Sequence, residues 1–358
     1  MPIELVRDLP TLEALAKGWT SLPADHPFAT FGFARAWLAH FRESAEPFAI
    51  VRTDGTGTLD AVAAWAIVTG PGGTRLLTGV GARDAGLHDP IVRHAKDMPA
   101  FAGDIAGALR AARGQWDLLA LVLRPAASGP LLASLPRVGW TMAAPVPWEQ
   151  HAVIEFAAGW DAYWAERSRH FADTRRKARK IAQRPHRFYL ASPARARDLM
   201  PDLFRLHAEN LAALGDWREL YLFLATYLPD AVARGDACMP ILEIDGKIAA
   251  IDLLLRSGPC CYGFLRALDP EFRHLGAGIA LTTWALEKLA GDGVRTVDCG
   301  AGQHDWKARF ATGALATVCV QVPVTPAGLL ALDRAWLRRY ASHRLSWARR
   351  LLARPAAS

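Results

Sequence analysis

The chain has 358 residues, 51% hydrophobic and 22% charged, which excludes a disordered or fibrous class and suits two folded domains better than one core. Its net charge of +7 rests on 35 arginines against seven lysines, in a chain also rich in alanine, so the basic balance argues only weakly for nucleic acid. No apolar run approaches the ~18 residues that span a bilayer, Met1-Pro2-Ile3-Glu4-Leu5 lacks the basic start and apolar core of a signal peptide, and five cysteines without C-x-x-C spacing argue against a disulfide framework or zinc site and for a cytoplasmic protein.

Taken in chain order, Pro27-Phe28-Ala29-Thr30-Phe31 leads into a helical, Trp-bearing segment, Phe33–Phe41. A strand at Phe48-Ala49-Ile50-Val51 follows, then Asp54-Gly55, an apolar strand 59–68, Gly70-Pro71-Gly72-Gly73 and a strand from Arg75. Each Gly-rich step between apolar runs is a hairpin signal. The chain continues through Thr78-Gly79-Val80-Gly81-Ala82-Arg83-Asp84 and His88-Asp89-Pro90, with no Gly-rich turn entering a helix.

Residues 160–187 form a basic stretch containing Arg167, Arg169, Arg175, Arg176, Lys177, Arg179, Lys180, Arg184 and Arg187. As a helix it places Phe171, Ala178 and Ile181 roughly on one face. It reads either as a solvated connecting helix or as an anion-binding ridge for tRNA, a lipid headgroup or a nucleotide phosphate. Aromatic residues are not interleaved as a base-stacking platform requires.

The order of signals then repeats. Helical segments 199–214 and 219–228 precede a strand 239–244, Asp245-Gly246, an apolar run 248–255, Ser257-Gly258-Pro259 and a strand from Cys260. The two Asp-Gly steps lie 191 residues apart and the two Gly-Pro steps 188. Two α/β halves of like topology follow from this.

They differ after the last strand. The second half continues Arg273-His274-Leu275-Gly276-Ala277-Gly278 into an amphipathic helix that begins at Ile279 and runs to Leu289. A Gly-rich turn entering a helix leaves several backbone N–H groups without an internal partner, at the positive end of the helix dipole. That end suits a phosphate or pyrophosphate, with Arg273 adding a full charge. The spacing fits neither the Rossmann fingerprint nor a P-loop, and two glycines at a helix start also occur for turn geometry alone. A strand 294–299 ends in Asp298-Cys299-Gly300. A Gly loop holding His304 and Asp305 precedes Trp306-Lys307-Ala308-Arg309-Phe310. No G-x-S-x-G nucleophile elbow occurs. The tail, 329–352, interleaves Trp336, Leu337, Tyr340 and Trp347 with arginines, as in a basic amphipathic helix that docks on its own protein or touches a membrane surface.

Arg273-x-x-Gly276-x-Gly278 resembles the R/Q-x-x-G-x-G/A motif of the GCN5-related N-acetyltransferases (GNAT). Trp306-Lys307-x-x-Phe310 resembles the ending of the acetyltransferase-like domain in CelD-type proteins associated with cellulose biosynthesis, a layout shared by the Fem-type peptidoglycan aminoacyl transferases. The phrase 27–41 resembles the opening of that superfamily. The resemblance implies an α/β fold with mixed sheets, built of two tandem GNAT-like domains. The halves are a degenerate 1–158, which shapes the substrate cleft, and an acyl-CoA-binding 188–325. They are joined by the basic helical segment 159–187 and followed by the amphipathic tail 326–358.

It implies acetyl-CoA or another acyl-CoA as co-substrate, no metal, and an amine as acceptor, of an amino sugar or of envelope or exopolysaccharide material. Strands 260–266 and 294–299 are expected to splay and admit the pantetheine arm. Residues Arg273, His274, Leu275, Gly276, Ala277, Gly278 and Ile279 are expected to hold the pyrophosphate. Asp298 or His304 is expected to take the amine proton, and Lys307 to stabilise the oxyanion. Two other classes stay open: a Fem-type transferase using aminoacyl-tRNA, and a non-catalytic accessory protein of polysaccharide assembly. The sequence names no acceptor and no oligomeric state.

Overall fold

A computed structural model describes residues 2–81, 86–139, 145–211, 217–302 and 304–332. The chain opens with β1 (Ile3–Val6), α1 (Leu9–Ala14), α2 (Ala16–Thr20), α3 (Phe31–His40), β2 (Ala45–Thr53), β3 (Leu59–Thr69), β4 (Arg75–Gly79), β5 (Ile91–Val92), α4 (Met98–Ala111), β6 (Leu118–Leu123), α5 (Pro125–Ser134) and β7 (Val146–Glu155). It continues with α6 (Gly159–Arg167), α7 (Ala172–Ala182), β8 (His186–Leu190), α8 (Pro193–Asp198), α9 (Met200–Leu211), α10 (Arg218–Arg234), β9 (Ala237–Cys238), β10 (Pro240–Ile244), β11 (Lys247–Ser257), β12 (Cys260–Leu268), α11 (Ala277–Gly291), β13 (Thr296–Asp298), α12 (Asp305–Phe310), β14 (Gly313–Pro323) and α13 (Pro326–Leu330).

The chain divides into two compact units, each discontinuous in sequence. Unit 1 takes 1–23, 28–149 and 316–358; unit 2 takes 24–27 and 150–315. In unit 1 the strands run β1-β2-β3-β4-β6-β14, antiparallel except for the parallel pair β4/β6. In unit 2 they run β8-β10-β11-β12-β13-β7, antiparallel except for the parallel pair β12/β13. The two units therefore share one mixed α/β topology, as the repeated hairpin signals predict. The last strand of unit 1 comes from beyond its main stretch of sequence, where Val318–Pro323 pairs β6, and that of unit 2 from the start of its main stretch, where Val153–Glu155 pairs β13.

The two Asp-Gly steps do different work. Asp245 (φ 52°) and Gly246 (φ 77°) both take the left-handed conformation, which closes a two-residue hairpin between Ile244 and Lys247. In the first half the turn is wider. Asp54 accepts from the N–H groups of Thr56 and Thr58, and Gly57, not Gly55, carries the positive φ.

Burial follows the apolar runs. In unit 1, Phe48, Trp65, Leu119 and Leu121 of the sheet bury against Phe101, Ile105 and Leu109 of α4. In unit 2, α11 buries Leu281 in one apolar cluster and Leu286 and Leu289 in another. The basic segment forms two helices, α6 and α7, followed by β8. Phe171 and Ile181 are buried as the spacing predicts, whereas Ala178 is exposed. Residues 82–85, within the stretch read after Thr78, lie outside the described residues. So do 212–216, at the end of the expected helix 199–214, and 333–358, nearly all of the expected tail helix. Among the described residues no helix is long and apolar enough to cross a membrane.

Where β4 and β6 begin to pair, Asp117 accepts from Arg75 N (2.9 Å), Nε (3.1 Å) and Nη2 (3.0 Å) and from Thr325 Oγ1 (3.0 Å). The Arg75 guanidinium holds the Asp117 carboxyl down at about 2. A carboxyl lowered by folding adds stability that is present above its unfolded value of about 3.9 and is lost as pH falls toward the folded value. Arg75 is half exposed, so solvent screening limits the gain to about 1 kcal/mol. Asp117→Asn is expected to lower the melting temperature at pH 7 by roughly 2–4 °C. In denaturant titrations the gap to the wild type should close between pH 4 and pH 2.

Candidate functional site

Asp269 caps a 3-10 turn, Pro270–Leu275, through Glu271 N (2.8 Å), and the turn ends at Gly276 with φ 70°. That left-handed backbone turns the chain into α11, and only glycine adopts it without strain. A Cβ there would also lie 2.9 Å from Lys177 Cδ, because α7 packs against this turn. A Cβ on Gly278 would meet Leu268 Cδ2 at 2.8 Å, so the second glycine lets the helix start approach the end of β12. No side chain caps α11. The N–H groups of Ala277, Gly278 and Ile279 in its first turn have no intrahelical acceptor and carry the positive end of the dipole. Arg273 is exposed beside them, His274 Nδ1 donates to Glu271 O (2.9 Å), and Leu275 is buried as the anchor.

The strands flanking this helix diverge, as the resemblance implies. β12 pairs β13 over three rungs only: Cys260–Thr296, Cys261–Val297 and Tyr262–Asp298. β13 ends there, while β12 runs on to Leu268. The register against β11 shifts from Leu254–Gly263 to Leu253–Leu265, leaving Phe264 as an extra, bulged residue at the point of divergence. Past Tyr262, no strand pairs the β13-facing edge of β12 among the described residues. The apex of the gap is tight: at Gly300 (φ 71°) a Cβ would stand 3.1 Å from Gly263 O and 3.2 Å from the Tyr262 hydroxyl.

At this apex Asp298 Oδ1 accepts from Gly300 N (2.7 Å), and His151 Nδ1 of β7 lies 3.0 and 2.9 Å from the two carboxylate oxygens. Lys307 is buried, and its Nζ donates to Gly300 O (3.0 Å) and Ala301 O (2.5 Å). Burial lowers the Lys307 pKa, against the smaller opposing pull of the Asp298 carboxylate. Asp298 and Lys307 thus meet through one residue, Gly300, held at its N–H by the first and at its carbonyl by the second. His304 stands apart from this network, exposed at the start of α12, where its carbonyl accepts from Lys307 N and Ala308 N. Burial pushes the Cys299 thiol up to about 12, so it stays protonated.

Sequence reading missed three residues here. His151 sits on a strand whose partner no local signal names. Tyr262, behind the apex, is a buried strand residue like any other. Arg266 pairs with Asp252 (2.7 and 2.8 Å), donates to Thr282 Oγ1 (2.5 Å) and stacks 3.8 Å from the Trp306 ring, so the aromatic of the Trp-Lys-x-x-Phe ending lids a buried ion pair.

Unit 1 carries the same parallel pair with the same three rungs, Leu76–Leu118, Leu77–Leu119 and Thr78–Ala120. Beyond them its own chain fills the gap. His88 N donates to Val122 O (2.8 Å), and Val122 N donates to His88 Nδ1 (3.1 Å). The imidazole lies flat on Gly79, where a Cβ would come within 2.3 Å of it. Asp89 follows and accepts from Arg124 N, Arg124 Nε and Ser128 Oγ at 2.9, 2.8 and 2.6 Å.

A Gly-turned helix start, a bulged strand and a splayed parallel pair define unit 2 as a GNAT fold. Residues 168–308 match the family described as an acetyltransferase (GNAT) domain, a stretch that takes in α7 and ends just past Lys307. These residues carry an acetyltransferase (GNAT) domain, and the chain is a transferase. The whole chain is similar in fold to FemX, at 12% identity and TM-score 0.64, covering 90% of this chain and 98% of that one. It is similar to the C-terminal domain of a putative lysylphosphatidylglycerol synthetase from Agrobacterium fabrum, at 15% identity and TM-score 0.58, covering 92% and 97%. A tandem GNAT protein from the clavulanic acid biosynthesis pathway aligns over 91% and 99% at 13% identity and TM-score 0.50. No curated protein matches the chain.

Replacing Lys307 by methionine keeps the buried volume and removes both bonds to the Gly loop. Lys307→Met is expected to leave the circular dichroism spectrum unchanged while amide exchange at 300–302 speeds up about tenfold or more. Unchanged exchange there would show that the ammonium does not fasten the loop.

Proposed function

We propose that the chain is an acyl-CoA-dependent N-acyltransferase whose donor site lies in unit 2. The observation that carries this reading is the contrast between the two parallel pairs. The gap in unit 2 opens beside a helix start with three free N–H groups and two glycines that bring the backbone close. The equivalent gap in unit 1 is filled by His88. A diphosphate fits the first and an extended acyl arm fits the gap that opens where β12 and β13 part.

Donor binding falls to the backbone N–H groups of Ala277, Gly278 and Ile279 and to the Arg273 side chain, while the Gly276 N–H, expected to join them, is engaged by Arg273 O at 3.0 Å. A neutral amine attacks the thioester carbonyl: the N–C bond forms, the C–S bond breaks, and the electron pair leaves on sulfur. Asp298 takes the amine proton, and the third N–H of Lys307 faces the oxyanion, a contribution of about 3 kcal/mol to the barrier. The protonated Cys299 supports direct transfer over an acyl-enzyme. His304, exposed and outside the network, is the weaker candidate for the proton. The CelD-type resemblance supports an amino sugar or another envelope or exopolysaccharide amine as acceptor. One observation favours a second reading, a donor carried on tRNA: basic α7 stands against Gly276.

Calorimetric titration with acetyl-CoA tests the proposal. One micromolar site per chain is expected, weakened at least tenfold in Gly276→Asp, where a side chain meets both the positive φ and Lys177. No binding by the folded protein would overturn the acyl-CoA reading. Binding of aminoacyl-tRNA that falls steeply with salt would then carry the second one.

A further inference from the structure

Resting on the acyltransferase reading, we propose that His151 is the positioning residue of the proton acceptor: it holds the Asp298 carboxylate in the one orientation from which Oδ2 takes the amine proton.

An ionised carboxylate offers lone pairs and carries no proton. It accepts and never donates, so the ring nitrogen within 3.0 and 2.9 Å of both Asp298 oxygens is a donor, and His151 carries its proton on Nδ1. The Gly300 N–H takes Oδ1 at 2.7 Å. Two donors from two different elements, β7 and the turn after β13, fix the carboxylate in plane and rotation. Oδ1 is doubly engaged and Oδ2 only shares the His151 proton, so Oδ2 has the greater free capacity.

Burial separates the roles. The His151 side chain is 1% exposed and that of Asp298 15%, so the carboxylate reaches open space and the imidazole stands behind it. His151 itself is fixed by strand pairing, since Val153, two residues on along β7, pairs with Asp298. The edge of its ring also meets Tyr262, with centroids 6.1 Å apart. The pair sits on the last rung of β12/β13, where the gap opens. When the amine nitrogen bonds to the carbonyl carbon and the thiolate departs, the proton moves from nitrogen to Oδ2, and the His151 proton stays on Nδ1 throughout.

The test compares wild type, His151→Leu, His151→Asn and Asp298→Asn. Acetyl-CoA affinity is measured by calorimetry, and thiol release from acetyl-CoA with hydroxylamine as the amine probe. Asparagine places an N–H close to where Nδ1–H stood; leucine does not. All four proteins are expected to bind acetyl-CoA within about twofold of one another. The kcat should fall about 10²-fold in His151→Leu and Asp298→Asn and return to within tenfold of wild type in His151→Asn, with KM for hydroxylamine nearly constant. A purely structural role predicts the opposite pattern, with both His151 variants losing thermal stability and acetyl-CoA affinity together. Wild-type kcat in His151→Leu overturns the inference, as does a wild type that binds acetyl-CoA but releases no thiol. Failure of the wild type to bind acetyl-CoA strikes the underlying acyltransferase reading instead.

Discussion

Everything at this site depends on a parallel strand pair that ends after three rungs. A parallel pair of three rungs holds β12 to β13, and past Tyr262 the two strands part. Buried backbone N–H and C=O groups are costly without partners, so a gap of this kind must be filled by the chain itself or by something extended that offers matching groups. Unit 1 shows the first solution. His88 bonds Val122 through both its backbone N–H and its ring, and the imidazole rests on Gly79. Unit 2 uses glycine differently. Gly276, Gly278 and Gly300 shape the rim of the gap.

The second constraint is the buried ammonium of Lys307. Taking a charge out of water costs several kcal/mol per ion unless hydrogen bonds replace the lost hydration. Here two carbonyls of the Gly loop, Gly300 and Ala301, supply them, and the carboxylate of Asp298 lies one residue away. The cost is thereby turned into rigidity: a loop of small residues, with φ 71° at Gly300 and 88° at Gly302, is held at one end by a cation. The Arg266–Asp252 pair under Trp306 follows the same logic, since each buried charge has a geometric partner and an aromatic face excludes water. The lowered pKa of Lys307 and the raised pKa of Cys299 are two consequences of one dry environment.

The repeat was legible in the sequence because hairpins are local. Asp245-Gly246 dictates its turn through two positive φ values, and the strands on either side follow. The phosphate-loop motif was legible for the same reason, since Gly276 and Gly278 act through their own backbone. What sequence could not supply is register between distant strands. His151 and Asp298 are 147 residues apart, and nothing around either names the other. His88 was visible in the His-Asp-Pro phrase, yet only the pairing of β6 shows that it plugs a gap. The basic segment was legible in charge but not in shape, because a 3-10 turn at Ser168–Phe171 divides it into two helices.

The discontinuity of the two units bears on how such a site arises. The strand that pairs β13 and carries His151 is β7, which in sequence follows unit 1. The strand that pairs β6 is β14, which in sequence follows unit 2's own helices. The sheet of unit 1 is therefore finished by a segment from beyond its main stretch of chain, and that of unit 2 by the segment that opens its own. A piece of chain cut at 158 would carry the Arg273-x-x-Gly276-x-Gly278 loop, Asp298 and Lys307 but lack His151. It would also lack the antiparallel neighbour that β13, only three residues long, relies on to stay flat against β12. A short strand with a partner on one side is marginal. The divergence that makes the gap needs β13 anchored on its far side, so the strand that brings His151 also keeps the gap open.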